Sequence, residues 1–227
     1  MPRVARFVLA GVPHHVTQRG NRRGRVFFSD ADHLAYLHWL REYGLKHELE
    51  TLAYCLMTNH VHLVLVPGKQ HSLAQTLQYV HMRYAQRVNR AKGWGGHVWQ
   101  ARYFSSALDE PHLWAAIRYA ECNPVRAGMV GRAEDYPWSS ARAHCGLARD
   151  PVLSTRQPWL RQLEGIGNWS DWLSAGDERQ CLEELRRNTA QNLPCGSEDF
   201  IAKLQADCQR NLRRRQRGRP RLEGKGI

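Results

Sequence analysis

Hydrophobic and polar positions along the first half of the chain follow two different spacings. Apolar and β-branched runs, with a period of two or almost no interruption, predict four short strands over 13–19, 50–57, 60–66 and 102–108. Apolar positions three or four residues apart predict a helix from Ser29 or Asp30 to about His47, and a second helix from Ser72 to about Arg90. The order strand, helix, two strands, helix, strand indicates an α+β fold with helices packed on an antiparallel sheet.

The second half of the chain carries a weaker pattern. A third helix is predicted over roughly 111–122, and it should end at Asn123-Pro124 because the residue before a proline is disfavoured in the α region. Shorter helical stretches follow over 178–187 and 197–208. We therefore predict an α+β domain over 1–148, a small helical extension over 149–208 and a basic, disordered tail over 209–227.

Charge is distributed unevenly along the chain. The 227 residues carry a formal net charge of +12, with six arginines and no acid in residues 1–25 and a net charge of +7 in residues 209–227. Residues 51–108 contain no Asp or Glu but hold six Lys or Arg. Such clusters are typical of proteins that bind a polyanion. The alternative, a basic protein without such a partner, would spread its charges more evenly.

Composition argues against several other classes of protein. No run approaches the roughly 20 apolar residues of a membrane span, and the first residues lack the apolar core of a signal peptide. Six Cys are scattered without C-x-x-C spacing, so free thiols are expected rather than disulfides or a zinc knuckle. We expect a cytoplasmic protein with no membrane partner, and the sequence leaves open whether it is a monomer or a homodimer.

Two histidines, His60 and His62, lie two residues apart in the predicted strand 60–66. Side chains alternate across a strand, so both imidazoles point to one face, about 6.5–7 Å apart at Cα. Two ring nitrogens at this spacing can meet on one cation, and in acid-free, basic surroundings that cation would suit a phosphate. From these residues alone, a solvated or hydrogen-bonded histidine pair is the other interpretation.

Tyr119 and Asn123 stand four residues apart near the end of the predicted third helix, and so share one of its faces. The amide of Asn123 offers a neutral oxygen to a cation, with the phenol one turn away. A tyrosine of ordinary pKa, about 10, is a weak nucleophile, but a nearby cation and arginines stabilise the phenolate. Taken singly, a core tyrosine and an asparagine that stops a helix are the more ordinary interpretations.

Four segments that occur in order make the prediction specific: 15–21 (HVTQRGN), 55–63 (CLMTNHVHL), 96–104 (GHVWQARYF) and 123–128 (NPVRAG). Together they resemble the REP-associated tyrosine transposases, relatives of the small insertion-sequence transposases with one catalytic tyrosine. That family is a branch of the HUH endonucleases, and the resemblance covers about 1–144. It implies a ferredoxin-like core that carries the histidine pair on a central strand.

The resemblance also implies roles for the candidate residues. His60, His62 and Asn123 would be metal ligands and Tyr119 the nucleophile. It implies Mg²⁺ or Mn²⁺, although two imidazoles and one amide would equally suit Ni²⁺, Co²⁺ or Zn²⁺. The implied function is a metal-dependent transposase that cleaves and joins single-stranded DNA next to REP-like hairpins through a 5′-phosphotyrosine. Relatives often have proline at the position of Thr58 and an apolar residue or Arg at that of Cys122, and neither departure alters the predicted site.

Arginines are the candidates for contact with DNA phosphates, which position a strand without reading its sequence. We predict this role for Arg19, Arg22, Arg23, Arg83, Arg87, Arg90 and Arg102. Three of them form a stripe on the second helix that should lack counter-charges, because the surrounding block contains no acid. Two other hypotheses remain: the same fold could bind hairpin DNA or RNA with cleavage lost, or a metal-dependent hydrolase could use water as the nucleophile.

Overall fold

A four-stranded antiparallel sheet organises the molecule. The computed structural model describes residues 6–156, 165–176 and 179–213. The strands are β1 (His14–Arg19), β2 (Leu49–Met57), β3 (His60–Pro67) and β4 (Phe104–Ala107), in the spatial order β2-β3-β1-β4. All four predicted strands are therefore confirmed, and the fourth is shorter than its apolar run suggested. This strand order, with a helix after β1 and another after β3, is that of the predicted ferredoxin-like fold.

Two long helices cover one face of the sheet. Helix α1 (Asp30–Lys46) begins after Ser29, which forms a capping box with Asp32. Helix α2 (Ser72–Lys92) ends at Gly93, whose φ of 65° is the left-handed conformation that terminates many helices. Their apolar side chains meet the alternate residues Val61, Leu63 and Leu65 of β3, all fully buried, in the main hydrophobic core.

Shorter helices lie on the other side of the sheet and beyond it. They are α3 (Glu110–Glu121), α4 (Asn123–Arg126), α5 (Ala141–His144), α6 (Trp169–Ser174), α7 (Arg179–Gln191) and α8 (Glu198–Cys208). Helix α3 packs on β2 and β3, and α7 packs on β4 and on α3. The predicted helical stretches 178–187 and 197–208 thus correspond to α7 and α8. The proposed division at 148/149 stays a prediction, and most of the predicted tail, 214–227, lies outside the described residues.

Later segments of the chain pair with both outer strands. On the β2 edge, the Leu56 amide donates to the carbonyl of Trp138 over 2.8 Å. On the β4 edge, the Cys195 amide donates to the carbonyl of Ala107, also over 2.8 Å. Neither outer strand therefore presents a bare row of backbone hydrogen-bonding groups. No helix among the described residues combines the length and the apolar character of a membrane span.

Candidate functional site

The histidine pair lies on the face of β3 that looks toward α3 and α7. The ring centroids of His60 and His62 are 4.9 Å apart and nearly perpendicular. Each ring is held through its Nδ1: that of His60 lies 2.6 Å from Asn59 Oδ1, and that of His62 lies 3.0 Å from Nε2 of His15. Among the described residues, no hydrogen bond engages either Nε2, so both of these nitrogens remain available to a ligand.

Burial keeps this histidine group neutral. It lowers the pKa of His60 to about 4, with a further contribution from the positive charge of Arg19. The pKa of His62 lies well below its ordinary value, first because the ring is buried and then because His15, His60 and two arginines oppose a second positive charge. For His15 burial alone lowers the pKa to about 3. A neutral imidazole keeps the nitrogen lone pair that a metal ion needs.

Tyr119 projects from α3 onto the same group. Its ring packs edge-on against His62 with centroids 5.1 Å apart, and against His15 at 5.8 Å. The guanidinium carbons of Arg126 and Arg186 lie 4.5 Å and 5.1 Å from the centre of the phenol ring. The Nε of Arg186 also donates to the phenol oxygen over 3.3 Å. The structure therefore brings the predicted nucleophile, the histidine pair and two positive charges together.

Asn123 lies on a separate element from Tyr119. Helix α3 ends at Glu121, Cys122 leaves the helical conformation, and Asn123 begins the short helix α4. The third helix ends before Asn123-Pro124, as predicted, but the sequence did not indicate that Asn123 and Pro124 begin a new helix, whose first turn tolerates proline. Asn123 is half-buried and follows Tyr119 by four residues, as the sequence indicated. Its role as a ligand stays a prediction.

The donor set fits a divalent cation. Two neutral imidazoles offer Nε2 while Nδ1 is oriented by a hydrogen bond, which is the arrangement usual for metal-binding histidines. Within the described ranges, no group of three or more His, Cys, Asp or Glu side chains is arranged to hold a metal. A third protein ligand here would therefore have to be of another type, and the amide of Asn123 is such a group.

Sequence reasoning gave no role to five residues at this site, and two of them, Asn59 and Arg126, contact His60 and Tyr119. His15 bridges His62 and the hydroxyl of Thr189, and Arg186 contacts Tyr119. The alternation of β1 could have pointed to His15, since β1 pairs with β3 so that Thr17 is opposite His62. Nothing near Arg186 or Thr189 in the sequence indicates that α7 reaches the site.

Six of the seven arginines predicted to contact phosphates are exposed, and the seventh forms an ion pair within the protein. The exposed ones are Arg19, Arg22, Arg23, Arg83, Arg90 and Arg102. Arg87 instead forms an ion pair of 3.1 Å with Asp32 of α1. The expectation that the α2 stripe lacks counter-charges was therefore wrong at Arg87, because the acid comes from another helix and not from the same stretch of sequence.

Arg102 lines a large groove beside β4. The cavity, about 1120 Å³, runs between the segment 96–104 and the chain after α8. Its described lining includes four arginines and neither Asp nor Glu, and the arginines are Arg6, Arg102, Arg210 and Arg213. Arg6 donates to the carbonyl of Tyr103 and stacks on its ring, and Arg213 pairs with Glu198. The groove extends the positive surface beyond the residues predicted from the sequence.

Glu121 is the acid closest in sequence to the site, and its oxygens are engaged elsewhere. They accept hydrogen bonds from Ser140, His144 and the Trp169 indole, at 2.5 Å, 2.6 Å and 2.8 Å. The carboxylate is fully buried among these partners. Glu121 therefore joins α3 to α5 and α6 and does not extend the donor set.

Comparisons with known proteins agree with this geometry. A curated protein of Haemophilus influenzae, named "Putative REP-associated tyrosine transposase", is 28% identical over an alignment of 102 residues, and the match covers 40% of this chain and 58% of that protein. The chain thus matches less than two thirds of that relative's length.

A solved structure of a REP-associated tyrosine transposase bound to a REP hairpin has a TM-score of 0.51 at 18% identity, covering 69% of this chain and 93% of that one. At such an identity the likeness shows the fold alone. The family model described as "Transposase IS200 like" matches residues 10–123, half of the sequence, and this chain therefore belongs to the IS200-like transposase family.

Proposed function

We propose that this protein is a transposase that cleaves and rejoins single-stranded DNA beside a hairpin, with Tyr119 as the nucleophile. The observation that carries the proposal is the packing of the Tyr119 ring against His62, at 5.1 Å, with Arg126 and Arg186 beside the phenol. A purely structural tyrosine would have no need of two guanidinium groups and an open histidine pair. The related structure bound to a REP hairpin supports hairpin DNA as the partner.

In this proposal the phenol oxygen of Tyr119 bonds to the scissile phosphorus while the bond from phosphorus to the 3′ oxygen breaks. The products are a 5′-phosphotyrosine and a free 3′-hydroxyl, and the phenol proton is balanced by the proton that the 3′ oxygen gains. The guanidinium groups of Arg126 and Arg186 lie where negative charge develops on the phenol. Because the new phosphodiester keeps the bond energy, a 3′-hydroxyl can reverse the step and join strands.

A divalent cation, Mg²⁺ or Mn²⁺, is part of this proposal. His60 and His62, through Nε2, and the amide of Asn123 would hold it. When bound it makes the phosphorus more electrophilic and offsets the charge of the phosphate oxygens. Asn59 and His15 orient the rings of His60 and His62 through hydrogen bonds to Nδ1.

The basic surfaces support a DNA strand as the substrate. The exposed Arg19 is opposite His60 at the start of β3, Arg22 and Arg23 follow it, and the acid-free groove with Arg102 continues the positive surface beside β4. Phosphate contacts of this type make binding fall with salt.

Replacing Tyr119 with Phe tests the proposal. A labelled hairpin oligonucleotide with a single-stranded flank is incubated with the protein and Mn²⁺, then resolved on a denaturing gel. We expect Tyr119→Phe to bind the DNA as tightly as the wild type and to lose cleavage by about 10⁴-fold, with no covalent adduct, as removal of a nucleophile does. The matched control is Tyr79→Phe, an exposed tyrosine on α2, which should cleave normally.

Two results would contradict the proposal in different ways. Substantial cleavage by Tyr119→Phe, without an adduct in the wild type, would indicate a hydrolase that activates water. Hairpin binding by the wild type with neither cleavage nor adduct would indicate a DNA-binding protein that has lost the reaction.

A further inference from the structure

Three buried side chains form a hydrogen-bonded chain from α7 to the histidine pair. Thr189 Oγ1 lies 2.9 Å from Nδ1 of His15, and Nε2 of His15 lies 3.0 Å from Nδ1 of His62. The two ring planes are inclined by only 5°, with centroids 5.3 Å apart, so the hydrogen bond joins the rings edge to edge. Each of the three side chains is almost fully buried, so water does not replace any of these bonds. This series of hydrogen bonds ends at the ring of His62, whose other nitrogen, Nε2, is the predicted metal ligand.

The direction of one hydrogen bond in this chain determines the direction of the next. A neutral imidazole has one N–H and one lone pair. If Nδ1–H of His15 donates to Thr189, then Nε2 of His15 must accept from Nδ1–H of His62, and the lone pair of His62 is on Nε2. If Thr189 donates instead, each bond reverses and Nε2 of His62 carries a proton. Only the first arrangement lets His62 bind a cation through Nε2.

We propose that Thr189 and His15 are positioning residues that hold His62 in the Nδ1–H tautomer and so prepare its Nε2 for the metal ion. The inference rests on the proposed function, because it takes Nε2 of His62 as a ligand. It assigns a role to α7, which lies outside the stretch 10–123 that matches the family. Arg186 stands three residues before Thr189, on the same side of α7, and contacts the Tyr119 hydroxyl.

The hydroxyl of Thr189 is decisive because His15 is buried. Valine has nearly the same shape but cannot accept a hydrogen bond, so an Nδ1–H on His15 would be left unpaired. His15 then prefers its Nε2–H form, which donates to His62 and forces the proton of His62 onto Nε2. A structural role for Thr189 in packing would be preserved by valine, whereas the tautomer would not.

The test compares Thr189→Val with Thr189→Ser and with Thr76→Val. Thr76 is a matched control, since it is a fully buried threonine whose hydroxyl lies 3.3 Å from a histidine, His47, on the other side of the sheet. Mn²⁺ affinity is measured by calorimetry without DNA, and the tautomer of His62 by ¹⁵N-resolved NMR of the metal-free protein. We expect Thr189→Val to weaken Mn²⁺ binding by about 10–100-fold, the range for a group that orients a metal ligand. The His62 signal should change to the Nε2–H form.

We expect Thr189→Ser and Thr76→Val to keep the wild-type affinity and tautomer. A further variant, His15→Phe, retains an aromatic ring but removes both nitrogens, and should weaken Mn²⁺ binding as Thr189→Val does. It keeps the inference testable if Thr189→Val folds poorly.

The failures of the two proposals are distinguishable. If wild-type protein forms the DNA adduct but Thr189→Val and His15→Phe match Thr76→Val in Mn²⁺ affinity and His62 tautomer, the positioning role is wrong and the function stands. If the wild type neither binds Mn²⁺ nor forms an adduct, the proposed function itself fails, and the inference with it.

Discussion

Each face of the sheet has a buried histidine that is hydrogen-bonded to a hydroxyl group from a helix, but the surroundings of the two histidines differ. On the α1/α2 face, Nε2 of His81 lies 3.0 Å from the hydroxyl of Tyr36, and its ring packs 4.8 Å from that of Trp99. On the α3/α7 face, His15 is bonded to Thr189. Burial lowers the pKa of both His81 and His15 to about 3.

The two histidines differ in the side chains next to them. The His81 ring packs against the aromatic rings of Tyr36 and Trp99, and it borders the groove beside β4. The His15 group continues to His62 and leaves two ring nitrogens open beside Tyr119. A strongly lowered pKa therefore does not identify a functional histidine in this molecule. We propose that open donor atoms beside Tyr119 and two arginines mark the functional histidines instead, and the following predictions test that distinction.

The largest expected effect contrasts His62→Ala with Tyr36→Ala. His62→Ala removes a proposed metal ligand and should lower the rate of hairpin cleavage by about 10³-fold, since the charge stabilisation supplied by a cation is worth several kcal/mol. Tyr36→Ala leaves a cavity in the main core and should lower the free energy of unfolding by about 3–5 kcal/mol. Cleavage assays and urea unfolding check the pair.

The folded fraction of Tyr36→Ala should still cleave DNA. A loss of cleavage per folded molecule in Tyr36→Ala, or full activity in His62→Ala, would remove the distinction between the two faces.

Acid should act on both faces in the same way. Each buried histidine is neutral when folded but accepts a proton near pH 6.5 when unfolded, so its stabilisation is complete above about pH 6.5 and is lost as the pH falls toward the folded pKa of about 3. Each contributes a slope of about 1.4 kcal/mol per pH unit in that window. We expect His81→Gln and His15→Phe each to reduce the slope of unfolding free energy against pH by this amount.

Urea unfolding of the metal-free variants between about pH 6 and 4.5 measures these slopes, and the shared carboxylate contribution cancels in the difference from wild type. A slope that changes for only one of the two variants would show that the groups differ in protonation after all.

The smallest expected effect is that of Tyr36→Phe. It removes only the hydroxyl that pairs with His81 and leaves a buried ring nitrogen without its partner. The free energy of unfolding should fall by about 1–3 kcal/mol, with hairpin cleavage unchanged. Thermal or urea unfolding resolves this change; a variant as stable as the wild type would mean that Nε2 of His81 finds another hydrogen-bond partner.

The fold could be predicted from the sequence because the spacing of apolar residues reflects local structure. The strand alternation of β3 separates Val61 and Leu63 from His60 and His62, and that alone assigns the histidines to one face. The start of α1 at Ser29 follows equally from local capping. The β4 strand was overestimated because Tyr103 is buried against Arg6 and not in the sheet ladder, which an apolar pattern does not distinguish.

The candidate site was readable only in part, because its remaining groups depend on long-range packing. Tyr119 was found by its spacing from Asn123 and by family resemblance, while Arg186 and Thr189 come from a helix some 70 residues further along the chain. The ion pair of Arg87 with Asp32 was overlooked for the same reason, since 55 residues separate the partners. Such pairs depend on how the helices pack against each other, and no motif in the sequence predicts that packing.

The segments that pair with β2 and β4 have a consequence for self-association. Exposed rims of sheets invite edge-to-edge joining with another molecule, the route to swapped dimers and fibrils. Here the bonds from Leu56 to Trp138 and from Cys195 to Ala107 occupy both rims with the protein's own backbone. A truncation that removes the chain after α7 would expose the β4 edge again, and we expect it to increase aggregation.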